Sequence, residues 1–225
     1  LTQTDADVPS NDGWLSKREM TILDGLRFAK RRADWRRGRW TAKCALASFA
    51  GDALAAKAFE IFPNERGAPE AFFEAKSFAA SLSIAHSGDI ALCAVSVDDM
   101  RLGCDVERIE PRDAAFAADY FTKSENVWLA SLPECEKPGA TTDIWSAKES
   151  VLKALQTGLR SDTRSVEVIF PNLEKTDWSP FEAWVAELGI RFFGWRRRAG
   201  GFSFTIATDR PSDAPAPLTT EATQA

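Results

Sequence analysis

An α+β fold is predicted by the order of the hydrophobic periods along this chain. In each half, helical spacing comes first and alternating strand patterns come after it. The strands are joined by short turns suited to antiparallel pairing rather than by crossover helices. With 225 residues and 44% hydrophobic content, the chain can bury a real core without disulfide or metal staples.

Residues 16–33 have helical spacing, with Met20, Leu23 and Leu26 inside, and a second helix runs from about Asp34 to Phe49 until Gly51-Asp52 breaks it. Phe59 to Ile61 alternates as a strand and Pro63 to Gly67 is a loop. Leu82–Ala85 and Ile90–Val97 read as strands around a His86 to Asp89 turn. Asp98-Asp99 then turns the chain into Arg101–Arg108, making a three-stranded meander. Thr122-Lys-Ser-Glu125 is a capping box opening a helix through Leu132. A longer helix spans Thr142 to Thr157 and stops at Gly158. Strands are expected again at Ser165–Phe170, around Ala183–Glu187, and in a hairpin of Arg191–Arg197 with Phe202–Thr208. No internal sequence repeat is read, so any relation between the halves is taken as architectural. Pro211 to Ala225 reads as a disordered tail, and Leu1 in place of a methionine points to a trimmed start.

Composition excludes several functions. A net charge of −5 argues against a generic nucleic-acid coat. One histidine, His86, excludes a two-histidine zinc site within the chain. Cys44, Cys93, Cys104 and Cys135 lie 49, 11 and 31 residues apart, so there is no CxxC pair, and buried thiols in a reducing cytoplasm are expected. No signal peptide or membrane span is expected. The acidic average hides a basic run. Between Arg27 and Lys43 there are eight cations (Arg27, Lys30, Arg31, Arg32, Arg36, Arg37, Arg39, Lys43) against Asp34. Like charges at i, i+4 repel, so either the run is a solvated face or an anion compensates it.

Three segments carry candidate chemistry. In Gly103 to Glu107, Asp105 and Glu107 share one face of a strand while Cys104 and Val106 take the other. Paired carboxylates repel unless a cation or proton intervenes, and hard oxygen donors without His or Cys suit Mg²⁺; a solvated sheet face is the alternative. In Trp145 to Lys153, Ile144, Ala147, Val151 and Leu155 form a buried stripe, and Trp145, Glu149 and Lys153 line the adjacent face. An exposed i, i+4 Glu–Lys pair would explain the last two, but Trp145 beside them needs a reason such as a lip over a site. His86 in Ser-Ile-Ala-His-Ser-Gly is either a structural hydrogen-bonder or faces a cleft.

In this order and separation the segments resemble the 4′-phosphopantetheinyl transferases of the surfactin-synthetase type. That family shows a G-(I/V)-D-(I/V)-E strand, a W-(S/A)-x-K-E-(S/A)-x-x-K helix and an upstream S-H-S turn, here Gly103–Glu107, Trp145–Lys153 and His86-Ser87. Lys30-Arg31 with Gly38-Arg39 and Lys43 looks like its basic helix, and Phe121-Thr-x-x-Glu125 like its F-(T/S)-x-x-E segment. The resemblance covers residues 14–209. It implies two similar α+β halves related by a pseudo-twofold, 14–108 and 109–209, with flexible tails at 1–13 and 211–225 and an active site in the cleft between the halves. It implies transfer of phosphopantetheine from coenzyme A to a serine of an apo acyl or peptidyl carrier protein, releasing adenosine 3′,5′-bisphosphate. Asp105, Glu107 and Glu149 would hold Mg²⁺, with Mn²⁺ as a substitute. Glu149, directly or through a metal-bound water, would be the base, and Lys153 would stabilise charge on the pyrophosphate. Lys30, Arg31, Arg39, His86, Lys148 and Lys153 would bind the coenzyme, with Lys43 a weaker candidate. Surface residues around Phe116–Trp128 would meet the carrier. The protein is expected to be a cytoplasmic monomer serving no nucleic acid or membrane.

Three departures from the family pattern stand out. Ala68 replaces a Lys of many relatives, Ala85 replaces a Ser ahead of His86, and the usual first strand before Trp14 is missing or trimmed. The rival expectation is a non-catalytic module that binds coenzyme A or a carrier. It predicts erosion of the carboxylates, and all three are present.

Overall fold

The computed structural model describes residues 1–51, 55–97, 99–157, 161–171 and 177–219. It is α+β with antiparallel strand pairing throughout, as expected. The chain divides into two compact units, Leu1–Asp99 with the chain from Ala216, and Met100–Pro215.

The first unit runs β1 (Thr2–Thr4), α1 (Lys17–Asp24), α2 (Ala29–Phe49), β2 (Phe59–Pro63), β3 (Pro69–Phe73), β4 (Lys76–Ser77), β5 (Ala80–Ser87) and β6 (Ile90–Val97). Its strands form two sheets, ordered β1-β6-β5 and β2-β3-β4. The single helix expected over 16–33 is interrupted. Gly25 closes α1 by donating to Thr21 and Ile22 carbonyls, and Phe28 is extended, so α2 starts at Ala29. The tail expected at 1–13 is structured instead. Thr2, Gln3 and Thr4 pair with Leu92, Ala91 and Ile90, the Leu1 ammonium donates to the Cys93 carbonyl, and a first strand is therefore present. Further along, Leu218 packs on the α2 core, and Trp195 Nε1 in the second unit donates to the Ser212 carbonyl. His86 lies within β5 opposite Ala91, and the turn itself is Gly88-Asp89.

The second unit runs β7 (Leu102–Arg108), α3 (Ala114–Tyr120), α4 (Lys123–Ser131), α5 (Lys137–Ala154), β8 (Val166–Ile169), β9 (Ser179–Val185), β10 (Ile190–Ala199) and β11 (Phe202–Thr208). One sheet, ordered β7-β11-β10-β9-β8, packs on α5. The expected meander is corrected here. β7 hydrogen-bonds to β11 in full register, Asp105 opposite Thr205, and not to β6. The unit boundary accordingly falls at Asp99/Met100 rather than after Arg108. Thr122 and Glu125 form the expected capping box. Gly158, the expected stop of the long helix, lies outside the described residues, and α5 ends at Ala154.

Each unit contains the same lock, and it is written in the sequence. Ser16-Lys-Arg-Glu19 with Leu23 matches Thr122-Lys-Ser-Glu125 with Leu129, and Trp40-Thr-Ala-Lys43 matches Trp145-Ser-Ala-Lys148. A short internal repeat therefore exists, which corrects the expectation of none. Both glutamates close a capping box. Glu19 Oε2 then meets Lys43 Nζ at 2.7 Å, and Oε1 accepts from the Ile61 amide of β2. Glu125 Oε2 meets Lys148 Nζ at 2.9 Å, and Oε1 accepts from the Val168 amide of β8. All four side chains are buried. One carboxylate thus fixes a short helix, a long helix and a strand, and its desolvation is offset because both of its oxygens find donors.

Candidate active site

The candidate site lies in the second unit, where α5 crosses β7. Gly103 makes the crossing close. A Cβ on it would sit 1.8 Å from the Ser150 carbonyl oxygen and 2.6 Å from the Ala154 amide nitrogen, so only glycine lets the helix backbone lie directly on the strand. Gly103, Asp105 and Glu107 share the strand face that α5 covers. The carboxylate face is thus half-buried against a helix, and it is not a solvated sheet face.

Asp105 is buried. Its Oδ1 receives Lys153 Nζ at 2.7 Å, and Lys153 also donates to the Cys104 carbonyl at 3.1 Å. Glu107 accepts from Trp145 Nε1 at 3.2 Å and from Arg112 at 3.5 Å. Arg112 stacks 4.4 Å from the Phe116 ring centroid, and Phe116, Tyr120 and Trp145 form a mutual cluster of tilted and edge-on rings. Trp145 is half-buried as a lip over the carboxylates. Sequence reasoning missed Arg112. Its only signal is a basic residue five positions beyond Glu107.

Electrostatics couple the three acids. Burial, then the charge of Asp105 and more weakly that of Glu107, push the Glu149 carboxyl up to about 7, against the pull of Lys153. Burial and Asp105 likewise raise Glu107, with Trp145, Arg112 and Lys153 opposing. Burial works against the Lys153 ammonium, but Asp105 and its neighbours outweigh it and hold the group above its ordinary value. Asp105 Oδ2 and Glu149 Oε1 are buried without a hydrogen-bond partner among the described residues. Two orphaned carboxylate oxygens beside a third acid fit the donor chemistry of a hard divalent cation. Among the described residues no three such side chains already converge in a metal-site arrangement. The fit is one of donor type, with Lys153 holding Asp105.

Lys148, expected to bind the coenzyme, does not face a ligand. Its side chain is 0% exposed, with Nζ held by Glu125 and by the carbonyls of Thr163 and Val166. Those three partners leave no donor for an anion, which corrects the expectation. Lys43 is corrected by its burial: its side chain is 0% exposed, with Nζ on Glu19 and the Trp14 carbonyl.

The other basic candidates stand in the first unit. Four of the eight cations of the run, Arg32, Arg36, Arg37 and Lys43, pair with acids outside it. Arg36 binds Asp12, and Arg37 binds Asp5, Asp34 and the Gly88 carbonyl. Lys30, 89% exposed, reaches Asp34 at 3.3 Å, while Arg31 and His86 are exposed. Arg39 lies 5.1 Å over Trp35 with Nε unpartnered among the described residues, and burial lowers its pKa.

Residues 101–186 match the family model described as the 4′-phosphopantetheinyl transferase superfamily. Three of the curated proteins that the chain is similar to illustrate the match. It is 31% identical over 96 residues to the 4′-phosphopantetheinyl transferase gsp of Aneurinibacillus migulanus, covering 43% of this chain and 38% of that protein. It is 32% identical over 80 residues to the 4′-phosphopantetheinyl transferase Sfp of Bacillus subtilis, covering 36% and 35%. It is 24% identical over 209 residues to the 4′-phosphopantetheinyl transferase HetI of a Nostoc strain, covering 87% and 86%. The alignments thus span little more than a third of the first two relatives and most of the third. The acid cluster lies within the stretch, residues 101–186, that matches the 4′-phosphopantetheinyl transferase superfamily.

Proposed function

We propose that this chain transfers the phosphopantetheine group of coenzyme A to a serine hydroxyl of an apo carrier protein, in a Mg²⁺-dependent reaction that releases adenosine 3′,5′-bisphosphate. The observation that carries this reading is the acid trio Asp105, Glu107 and Glu149 around Lys153, with two buried oxygens left unpartnered among the described residues. Asp105, Glu107 and Glu149 would hold the cation. When bound, Mg²⁺ (or Mn²⁺) supplies charge neutralisation on a pyrophosphate and orients it.

The chain's own residues do the rest. Lys153 is half-buried on the trio and carries a fixed positive charge for the phosphate oxygens. Glu149, whose carboxyl is raised by burial and by the charge of Asp105, is assigned as the base for the attacking serine hydroxyl. Trp145 restricts water over Glu107 by covering it with its ring and its Nε1–H. Lys30, Arg31, Arg39 and His86 are assigned to the coenzyme's phosphates. The first two and His86 are exposed, and Arg39 keeps an unpartnered Nε. Surface residues around Phe116–Trp128 are assigned to the carrier.

No helix among the described residues is long and apolar enough to cross a membrane. All four cysteines are free thiols, which supports a reducing cytoplasmic setting, and a monomer is proposed. The test is incubation of the full chain with coenzyme A, Mg²⁺ and a panel of apo carriers, read by carrier mass. Addition of phosphopantetheine to at least one carrier is expected. No addition to any, while a known transferase succeeds in parallel, overturns the reading.

A further inference from the structure

The long helix of the second unit meets its sheet through hydroxyls. Ser146 Oγ lies 2.9 Å from Thr205 Oγ1, Thr205 Oγ1 donates to the Ser146 carbonyl at 2.8 Å, and Ser150 Oγ bonds both Thr205 Oγ1 and the Ser146 carbonyl. All three residues are fully buried. They sit directly beside the crossing at Gly103, where Ser150 supplies the backbone oxygen that the glycine accommodates, and Thr205 pairs with Asp105 across β7 and β11.

The repeat supplies an internal control. Counting from Lys43 and Lys148, Thr41 corresponds to Ser146, Ala45 to Ser150 and Cys44 to Glu149. Counting from the hairpin closures Ser87–Ile90 and Ala199–Phe202, Cys93 corresponds to Thr205 and Ile84 to Arg196. The two counts agree in space. Gly38 faces Ile84, where the corresponding Asp143 holds Arg196 at 2.6 Å. The matching contact of long helix on hairpin strand, α2 on β6, therefore folds in the first unit with Ala45 and Cys93, both buried in its apolar core. The fold does not require hydroxyls at these places, and the unit that has them is the one with the acids.

From this we infer that Ser150 and Thr205 are positioning residues of the acid site, fixing the height and rotation of α5 over β7 so that Glu149 and Lys153 stand over Asp105. The inference rests on the proposed Mg²⁺-dependent reading of that site. Directional hydrogen bonds set one register of helix on strand, whereas an apolar seam of small side chains tolerates sliding. Neither residue touches a reacting group, so both act through α5.

The test uses the full chain and Mg²⁺ binding by titration calorimetry, beside urea unfolding. The variants are Thr205→Val, Thr205→Ser, and the pair Ser150→Ala with Thr205→Cys, which installs the first unit's residues. Thr205→Val and the pair should stay folded and bind Mg²⁺ about tenfold more weakly, the scale seen when groups behind metal ligands are removed. Thr205→Ser should return parental affinity. Parental affinity in Thr205→Val overturns the inference, as does a Thr205→Ser variant as weak as Thr205→Val. Failure of the paired variant to fold also overturns it, because the hydroxyls would then serve the fold. A parent chain that neither binds Mg²⁺ nor modifies any carrier sinks the functional reading instead.

Discussion

The two units carry one lock and two different seams. In the first, the corresponding positions of α2 are Gly38, which faces Ile84, Thr41, Ala45 in the apolar core, and Ser48. In the second, α5 meets its sheet through Asp143, Ser146, Ser150 and Lys153, the same positions counted from the locking lysines. Asp143 binds Arg196, Arg198 and Ser203, and Lys153 binds Asp105, where the first unit has small side chains. Cys44 occupies the place of Glu149. Its thiol is pushed up to about 11 by burial, so it stays neutral where Glu149 sits among charges. The lock tells what the architecture needs twice, and the seam tells what the chemistry needs once.

The strongest way to break this comparison is to unmake each lock. Lys43→Met and Lys148→Met each leave a buried glutamate without its cation, a change that costs about 3–5 kcal/mol. Urea unfolding monitored by tryptophan fluorescence should show similar losses for both. A loss in one variant with no change in the other would mean that the two pairs are not equivalent parts.

Next in size is the contrast between Glu149 and Cys44. Glu149→Gln removes a proposed ligand and base, and the transfer rate should fall about 100- to 1000-fold, the scale for losing one group that stabilises developing charge. Cys44→Ser, at the matching position, should leave the rate within about twofold, since changes away from a site act on stability before they act on chemistry. Carrier modification read by mass spectrometry over time measures both. If Glu149→Gln keeps parental rate with Mg²⁺ present, the acid trio is not the reacting site.

Much of this is legible in the sequence, and the failures have physical causes. The Thr122–Glu125 capping box and the carboxylate-bearing strand are read from local patterns, because caps and strand faces are set within a few residues; the Ser16–Glu19 box, equally local, goes unread at the start of the segment taken as one helix. The pairing of β7 is not legible, because Asp98-Asp99 resembles a hairpin turn while the partner that wins, β11, lies about a hundred residues on. The tail at 1–13 misleads for the same reason, since a three-residue strand is stable only by virtue of β6. The compensation of the basic run is hidden because Asp5, Asp12 and Glu19 lie outside it. Lys148 looks like a ligand for an anion because its motif neighbours Glu149 and Lys153 are candidate site residues. One step around the helix turns it onto Glu125 instead. The W-(S/T)-A-K repeat escapes notice because the next residue, Cys44 in one copy and Glu149 in the other, shares no chemistry.

A smaller effect sharpens the comparison at the helix starts. Ser16→Ala and Thr122→Ala each remove a hydroxyl that accepts a backbone amide, at 3.3 Å in both cases. Each should cost about 1 kcal/mol, typical of a lost N-cap. Denaturant midpoints that shift together support the repeat. A shift confined to Thr122→Ala would show that the first unit's glutamate is held well enough by Lys43 and the Ile61 amide alone.

The least change in stability is expected where the first unit has no counterpart acid to satisfy. Arg31 is exposed at the start of α2, with no acidic residue in that helix's first turn. A cation there is unfavourable to the helix dipole, so its presence is not a folding matter. Arg31→Ala should therefore leave unfolding within about 0.5 kcal/mol of the parent. Coenzyme A affinity should fall roughly fivefold, equivalent to about 1 kcal/mol for an exposed charge pair. Calorimetric titration at low salt checks this, and the difference between variant and parent should shrink as salt screens the contact. An unchanged affinity at low salt would remove Arg31 from the phosphate-binding set and leave the first unit's role to Arg39, whose Nε is buried without a partner among the described residues.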